Sequence, residues 1–176
     1  DGLRRIKYKI LTKPFKGGTG MHILDFLNEK AVSSDLKSQD KNSVIKELID
    51  LLVKSGQLKP KDKDAVVKVL LNREALGSTG IGQGIAIPHG KCEYVSELIG
   101  AFGVSKSGIK FDSLDGEPAY IFFLLLAPVE SSGPHLKALA RISKLLKDKH
   151  FRDSLKNSDS EKTLIKIIKE EDQRRT

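Results

Sequence analysis

The chain has 176 residues, of which 39% are hydrophobic and 31% charged, with one cysteine and a net charge of +8. These values are typical of a single globular domain with its own core. The longest apolar run, residues 119–129, is far shorter than the roughly 20 residues of a membrane span, so no direct membrane insertion is expected. A single cysteine excludes an internal disulfide framework, and no hydrophobic signal segment is present, so we expect a cytoplasmic protein.

The positive charge is concentrated at the amino terminus. Residues 1–20 carry +5 of the total, and the charges of the remaining residues alternate in sign. No nucleic-acid partner is therefore expected for the body of the chain. We interpret residues 1–20 as a basic extension, which is a tag, a linker or the end of an upstream region. Residues 21–176 are then the folded domain, beginning at Met21, the only methionine.

The first part of this domain is predicted to be helical. Residues 21–32 mix apolar and acidic side chains and predict a short helix. Residues 43–54 repeat apolar side chains at helical spacing and predict a second helix. A third is predicted over residues 60–74, where Arg73 ends an apolar stripe. An arginine in that place either reaches solvent or points toward a site beside the core.

A glycine-rich run, residues 77–84, leads into a short apolar strand over residues 85–87. Pro88 fixes φ and is expected to end that strand, which presents the imidazole of His89 at the strand end. The glycines match neither a P-loop nor the dinucleotide-binding fingerprint, because the required Lys-Ser/Thr and the required spacing are both missing.

The second half alternates between strands and helices. Strands are predicted over residues 98–104, 109–111 and 119–127, and helices over residues 134–149 and 158–171. The strand over residues 119–127 is continuously apolar, which is typical of a central strand covered on both faces. This order of elements predicts the α/β (α+β) class, with a small mixed sheet between helical layers.

Three polar residues are predicted to point inward: His89, Arg73 and His135, which lies in the first turn of a helix. A neutral imidazole is a good nucleophile, and phosphoryl transfer needs little more than cations and N–H donors around the phosphoryl oxygens. In this interpretation Arg73 supplies charge, and Ser78 and Thr79 supply further donors.

Other interpretations remain open from the residues alone. His135 also fits a hydrogen-bonded core histidine. A zinc site built from both histidines and Cys92 lacks any recognisable ligand spacing, so we expect no metal. Cys92 otherwise fits a small buried filler.

Two separated segments resemble one family. The sequence REALGSTGIGQGIAIPHGK, from Arg73 to Lys91, is similar to the signature of the fructose/mannitol-type (type 2) enzyme IIA domains of the bacterial phosphoenolpyruvate-dependent phosphotransferase system. The sequence LLLAP, residues 124–128, followed by HLKALARISKLL from His135, resembles the strand, loop and helix of the same family. The resemblance covers about residues 21–171.

The resemblance implies a phosphotransferase/anion-transporter-like fold and no cofactor. It implies that His89 accepts a phosphoryl group on Nε2 from the phosphocarrier HPr, or its nitrogen-branch homologue. Arg73 then stabilises phosphoryl charge, and His135 orients or hydrogen-bonds the reactive imidazole or its phosphoryl group. The chain looks most like the nitrogen-regulatory branch, where phosphorylation controls partner proteins. The alternative is a sugar-specific component that delivers phosphoryl to a IIB domain.

Overall fold

The computed structural model describes residues 20–175, so nearly all of the extension predicted over residues 1–20 lies outside the described residues. The strands are β1 Leu27–Ser33, β2 Gly80–Gly82, β3 Ile85–Ala86, β4 His89–Cys92, β5 Ile99–Ile109 and β6 Ala119–Pro128. The helices are α1 Lys41–Lys54, α2 Lys63–Ala75, α3 Ser132–Leu146, α4 Lys149–Lys156 and α5 Glu161–Arg174, with 3-10 turns at Ile23–Asp25 and Pro60–Asp62. Within residues 20–175, no helix is long and apolar enough to cross a membrane.

All six strands belong to one mixed sheet. Its order is β1-β5-β6-β3-β2, and β4 also pairs with β6. β5 and β6 are antiparallel, whereas β3 and β4 both run parallel to β6. β2 folds back onto β3 through a two-residue turn at Gln83 and Gly84, whose φ angles are 56° and 78°. Positive φ at both positions is the requirement of a tight type I′ hairpin, which explains why a glycine stands there.

Helices cover both faces of the sheet, as the sequence predicted. The side chains of β6 alternate between two cores: Phe122, Leu124 and Leu126 pack with α1 and α2. Ile121 and Phe123, on the opposite face, pack with α3, α4 and α5. The prediction of a central strand buried on both faces is therefore confirmed for β6.

The helix predicted over residues 21–32 is wrong. Only Ile23–Asp25 forms a 3-10 turn, and Leu27–Ser33 is the edge strand β1, paired in parallel with β5. Ala31 and Val32 are buried in this strand. Pairing with β5 satisfies the backbone and buries these side chains, and that tertiary gain overrides local helix preference.

Two predicted boundaries also move. Residue 109 does not begin a new strand, because β5 runs to Ile109 through a register shift at which Gly108 adopts a φ of +80°. α3 ends at Leu146 rather than at residue 149, since the carboxylate of Asp148 accepts a hydrogen bond from the Phe151 N–H (2.8 Å) and caps a separate helix. Irregular backbone within a strand and a short inter-helix link both lack a periodic signal.

Candidate active site

His89 lies within an almost continuous strand at the sheet edge. Ala86 pairs with Phe122 and His89 with Leu125, so β3 and β4 keep the same register across Pro88. The Pro88 carbonyl accepts the N–H of Leu125 at 2.9 Å, so hydrogen bonding to β6 continues at Pro88 although proline has no N–H to donate. β3 ends before Pro88, at Ala86 rather than Ile87, but pairing with β6 resumes at His89, so His89 is the first residue of a new strand.

The backbone of Ile87 fixes the imidazole of His89. The N–H of Ile87 donates to the carbonyl of Thr79 (3.0 Å). Its carbonyl lies 2.7 Å from Nδ1 of His89. A carbonyl can only accept, so Nδ1 carries the proton of the neutral ring and Nε2 keeps a free lone pair.

His135 lies beside His89 across the gap between the sheet and α3. The two ring centroids are 5.5 Å apart, with the rings edge to face at 67°. His135 is only 5% exposed. Among residues 20–175, its Nε2 has no hydrogen-bond partner. A buried polar atom without a partner is uncommon and marks a place where a ligand oxygen or another polar group would be stabilised.

Both imidazoles are held neutral. Burial lowers the pKa of His89, and the positive charge of Arg73 adds to this effect, while the hydrogen bond to Ile87 acts in the opposite direction. Burial, with the nearby His89 and Lys91, lowers the pKa of His135 to about 4. At neutral pH the pair therefore offers nucleophilic nitrogen rather than imidazolium.

Two cations border the pair. Arg73, in the last turn of α2, is partly buried, and its Nη1 donates to the Gly77 carbonyl at 2.9 Å. Lys91 is two residues after His89 on β4, and its Nζ donates to the hydroxyl of Ser132 in the first turn of α3 at 2.6 Å. The site thus combines a neutral nucleophile, two positive charges and the positive end of a helix dipole, which suits a phosphoryl group.

The predicted supporting hydroxyls have partners of their own. Ser78 Oγ donates to the Phe111 carbonyl (2.8 Å) and accepts the Gly80 N–H (3.0 Å). Thr79 Oγ1 donates to the carboxylate of Glu74 at 2.6 Å. Their contribution to phosphoryl binding stays a prediction, and these contacts count against it, because each hydroxyl has only one proton to donate.

Cys92 lies apart from the two histidines. It is buried with the core that packs on α1 and α2, on the opposite face of the sheet, and burial raises the pKa of its thiol. Within residues 20–175, no cluster of histidine, cysteine and acidic side chains has the arrangement of a metal site.

Sequence reasoning missed three contributors: the Ile87 carbonyl, Lys91 and Glu74. Lys91 could have been found, because residues i and i+2 of a strand share a face. Glu74 could also have been found, since it falls on the helical stripe of Val67 and Leu70 and is buried with them. The role of a backbone carbonyl leaves no mark in the sequence.

Sequence comparison identifies a family for this chain. The family described as "Phosphoenolpyruvate-dependent sugar phosphotransferase system, EIIA 2" matches residues 25–171. A nitrogen regulatory protein of Bradyrhizobium diazoefficiens is 38% identical over 148 residues, which cover 84% of this chain and 95% of that protein. The fructose-specific EIIABC component of Bacillus subtilis is 40% identical over 152 residues, which cover 86% of this chain and only 24% of that longer protein.

Structural comparison points the same way. The crystal structure of the nitrogen regulatory protein IIA-Ntr from Neisseria meningitidis superposes with a TM-score of 0.74 and 33% identity, covering 82% of this chain and 97% of that one. The IIA mannitol structure from Escherichia coli shares the fold, with a TM-score of 0.67 and 22% identity, covering 80% of this chain and 97% of that one. The chain therefore belongs to the EIIA type 2 family of the phosphoenolpyruvate-dependent sugar phosphotransferase system.

Proposed function

We propose that His89 is the phosphoryl-accepting residue of this EIIA domain and that Nε2 is the atom phosphorylated. The observation that carries the proposal is the 2.7 Å contact between Nδ1 of His89 and the Ile87 carbonyl. This contact assigns the proton to Nδ1 and leaves the Nε2 lone pair free to react.

The proposed transfer runs from a phosphorylated HPr-type carrier to His89. The lone pair of Nε2 attacks phosphorus, an N–P bond forms, and the N–P bond of the donor histidine breaks with its electron pair left on the donor nitrogen. Arg73 and Lys91 stabilise the charge on the phosphoryl oxygens. A phosphoryl oxygen gives the buried Nε2 of His135 a hydrogen-bond partner. Because the pKa of His135 is low, the ring takes this role in its neutral form.

The phosphoryl group is then used in one of two ways. We favour regulation, supported by the similarity to two nitrogen regulatory proteins. A phosphoryl group adds about −1.5 to −2 charge, enough to make or break a protein interface beside His89. Delivery to a IIB domain for sugar uptake is the alternative, favoured by the 40% identity to a fructose-specific component.

Labelling tests the acceptor. The protein is incubated with radiolabelled phosphoenolpyruvate, enzyme I and HPr, and the protein-bound label is counted. His89→Ala should lose the label, because the substitution removes the nitrogen proposed to accept the phosphoryl group. The matched control is His150→Ala, an exposed histidine on α4, which should be labelled like the wild type. Label retained in His89→Ala would contradict the assignment.

Onward transfer separates the two uses. Phosphorylated protein is mixed with a fructose-type IIB domain, and the label on each protein is followed with time. Regulation predicts slow transfer to IIB, together with at least one partner that binds only one phosphorylation state. Rapid and complete transfer to IIB would favour sugar uptake instead.

A further inference from the structure

The carboxylate of Glu74 is buried beside the two histidines, and its hydrogen bonds within the described residues go to Thr79. Glu74 is 7% exposed, near the end of α2. Its Oε1 accepts the Thr79 N–H at 2.8 Å, and its Oε2 accepts the Thr79 hydroxyl at 2.6 Å. The Lys41 ammonium, at the start of α1, lies 2.8 Å from Oε1. A buried carboxylate costs free energy even when paired, and an apolar residue of similar size is often no less stable there.

The contacts of Glu74 lead to His89 through two residues. Glu74 holds Thr79 by both its backbone N–H and its hydroxyl. The Thr79 carbonyl accepts the N–H of Ile87, and the Ile87 carbonyl accepts the Nδ1 proton of His89. Since the neighbouring Pro88 directs its carbonyl toward β6, the Ile87 peptide groups face the other way and depend on Thr79 for their position.

We infer that Glu74 is a positioning residue for the reaction at His89, acting through Thr79 and Ile87 to keep the imidazole proton on Nδ1. This inference rests on the proposed function of His89. If the Ile87 carbonyl moves, Nδ1 loses its hydrogen-bond acceptor. The ring then also populates the tautomer with its proton on Nε2, since the two neutral tautomers interconvert freely. A proton on Nε2 occupies the lone pair that must attack phosphorus, so the reactive fraction of the protein falls.

A purely structural role for Glu74 makes a different prediction. Asp172 provides the comparison, because it is also a buried carboxylate (3% exposed) with several donors. It accepts from Arg141 Nε at 2.8 Å and from the Ile23 N–H at 2.7 Å, and these contacts tie α3 and α5 to the 3-10 turn. Within the described residues, none of the hydrogen bonds of Asp172 leads to His89. Loss of either carboxylate destabilises the fold, whereas only loss of Glu74 should change the tautomer of His89.

The test measures tautomer and transfer rate in the same variants. In Glu74→Gln the amide keeps one accepting oxygen and replaces the other with a donor, so it cannot accept from both the N–H and the hydroxyl of Thr79, and the negative charge that pairs with Lys41 is lost. ¹⁵N NMR of the histidine side chains reads the protonated nitrogen of His89 in the full chain. We expect Nδ1–H in the wild type and a mixture of tautomers in Glu74→Gln. Phosphorylation by phosphorylated HPr should slow roughly tenfold at saturating donor, the size expected for loss of one buried hydrogen bond. The donor concentration at half-maximal rate should not change.

Two further variants keep the test decisive. Thr79→Val removes only the hydroxyl contact and should shift the tautomer in the same direction by less, which also serves if Glu74→Gln fails to fold. Asp172→Asn should lower the melting temperature and leave the tautomer and the rate as in the wild type. The inference is overturned if the Glu74 and Thr79 variants keep a pure Nδ1–H tautomer, or if Asp172→Asn alters it equally. A wild-type protein that accepts no phosphoryl group would overturn the proposed function, and the tautomer comparison would still decide the role of Glu74.

Discussion

The two histidines of the site show how backbone context gives one residue type two different properties. His89 lies on an edge strand, is partly exposed, and has one nitrogen fixed by the Ile87 carbonyl. His135 lies in the first turn of α3, is almost fully buried, and has an Nε2 without a partner among the described residues. The strand therefore presents a nucleophile whose tautomer is set in advance, and the helix presents a polar atom that is satisfied only when something binds.

This difference assigns the rings separate tasks. A ring whose proton is held by a backbone carbonyl can react at its other nitrogen without rearrangement. A neutral ring in a low-dielectric position stabilises a neighbouring charge through its dipole, at no cost of carrying its own charge. The ring centroids are 5.5 Å apart, so a charge that forms on one ring interacts with the other.

The largest expected effect on this comparison comes from removing the helix-side ring. His135→Ala should still accept phosphoryl on His89, because the Ile87 contact is untouched. Transfer between phosphorylated HPr and His89 should slow roughly tenfold to a hundredfold in both directions, the size of a lost hydrogen bond to a charged group. Rapid-quench measurement of the labelled protein gives both rates. Unchanged forward and reverse rates would remove His135 from the mechanism.

A smaller expected effect that also distinguishes the two rings is the loss of folding stability in acid. The folded pKa of His135 is about 4, below its unfolded value of about 6.5. As the pH falls below 6.5, His135 binds a proton in the unfolded chain but not in the folded protein. The free energy of unfolding therefore decreases with falling pH until about pH 4. Between pH 7 and pH 5 the free energy of unfolding should fall by about 2 kcal/mol from this group alone.

Urea unfolding at the two pH values measures that loss. His135→Ala should lose less stability over the same interval, by about the same 2 kcal/mol. The pKa of His89 is also lowered, so some acid sensitivity should remain in the variant. Equal acid sensitivity in wild type and His135→Ala would show that the buried ring does not resist protonation.

The smallest expected effect concerns the hydroxyl of Ser78. Because Oγ already joins the Phe111 carbonyl to the Gly80 N–H, Ser78→Ala should lower the free energy of unfolding by about 1 kcal/mol. Transfer to His89 should change by less than about twofold, since no hydrogen bond is lost from the phosphoryl group. A transfer rate reduced by about tenfold or more would restore the phosphoryl-binding role predicted from the sequence.

The sequence predicted those parts of the molecule whose signal is local. β6 was recognisable because buried central strands are continuously apolar, and α1 and α3 because their apolar residues recur at helical spacing. His89 was identifiable because it follows an apolar strand and a proline with a fixed φ, a pattern that presents the imidazole at a strand end. The residues alone suggested Arg73 as a source of charge and left the role of His135 open, and the resemblance to a known family then narrowed both roles, which stay proposals.

Other parts depend on contacts between distant segments, which no local pattern records. β1 is a strand only because β5 lies beside it. The stripe of α2 was assigned one residue out of phase: Glu74 is the buried polar residue and Arg73 is partly exposed. The path from Glu74 to His89 joins α2, the segment before β2 and the β3–β4 strand. Such a path depends on the folded backbone.

The most direct test of the account is the identity of the phosphorylated atom. Protein with ¹⁵N-labelled histidine is phosphorylated with phosphoenolpyruvate, enzyme I and HPr, and the ³¹P–¹⁵N coupling is read by NMR. The account predicts a single phosphohistidine, at Nε2 of His89, with the proton retained on Nδ1. Phosphorylation at Nδ1 of His89, or at His135, would contradict it.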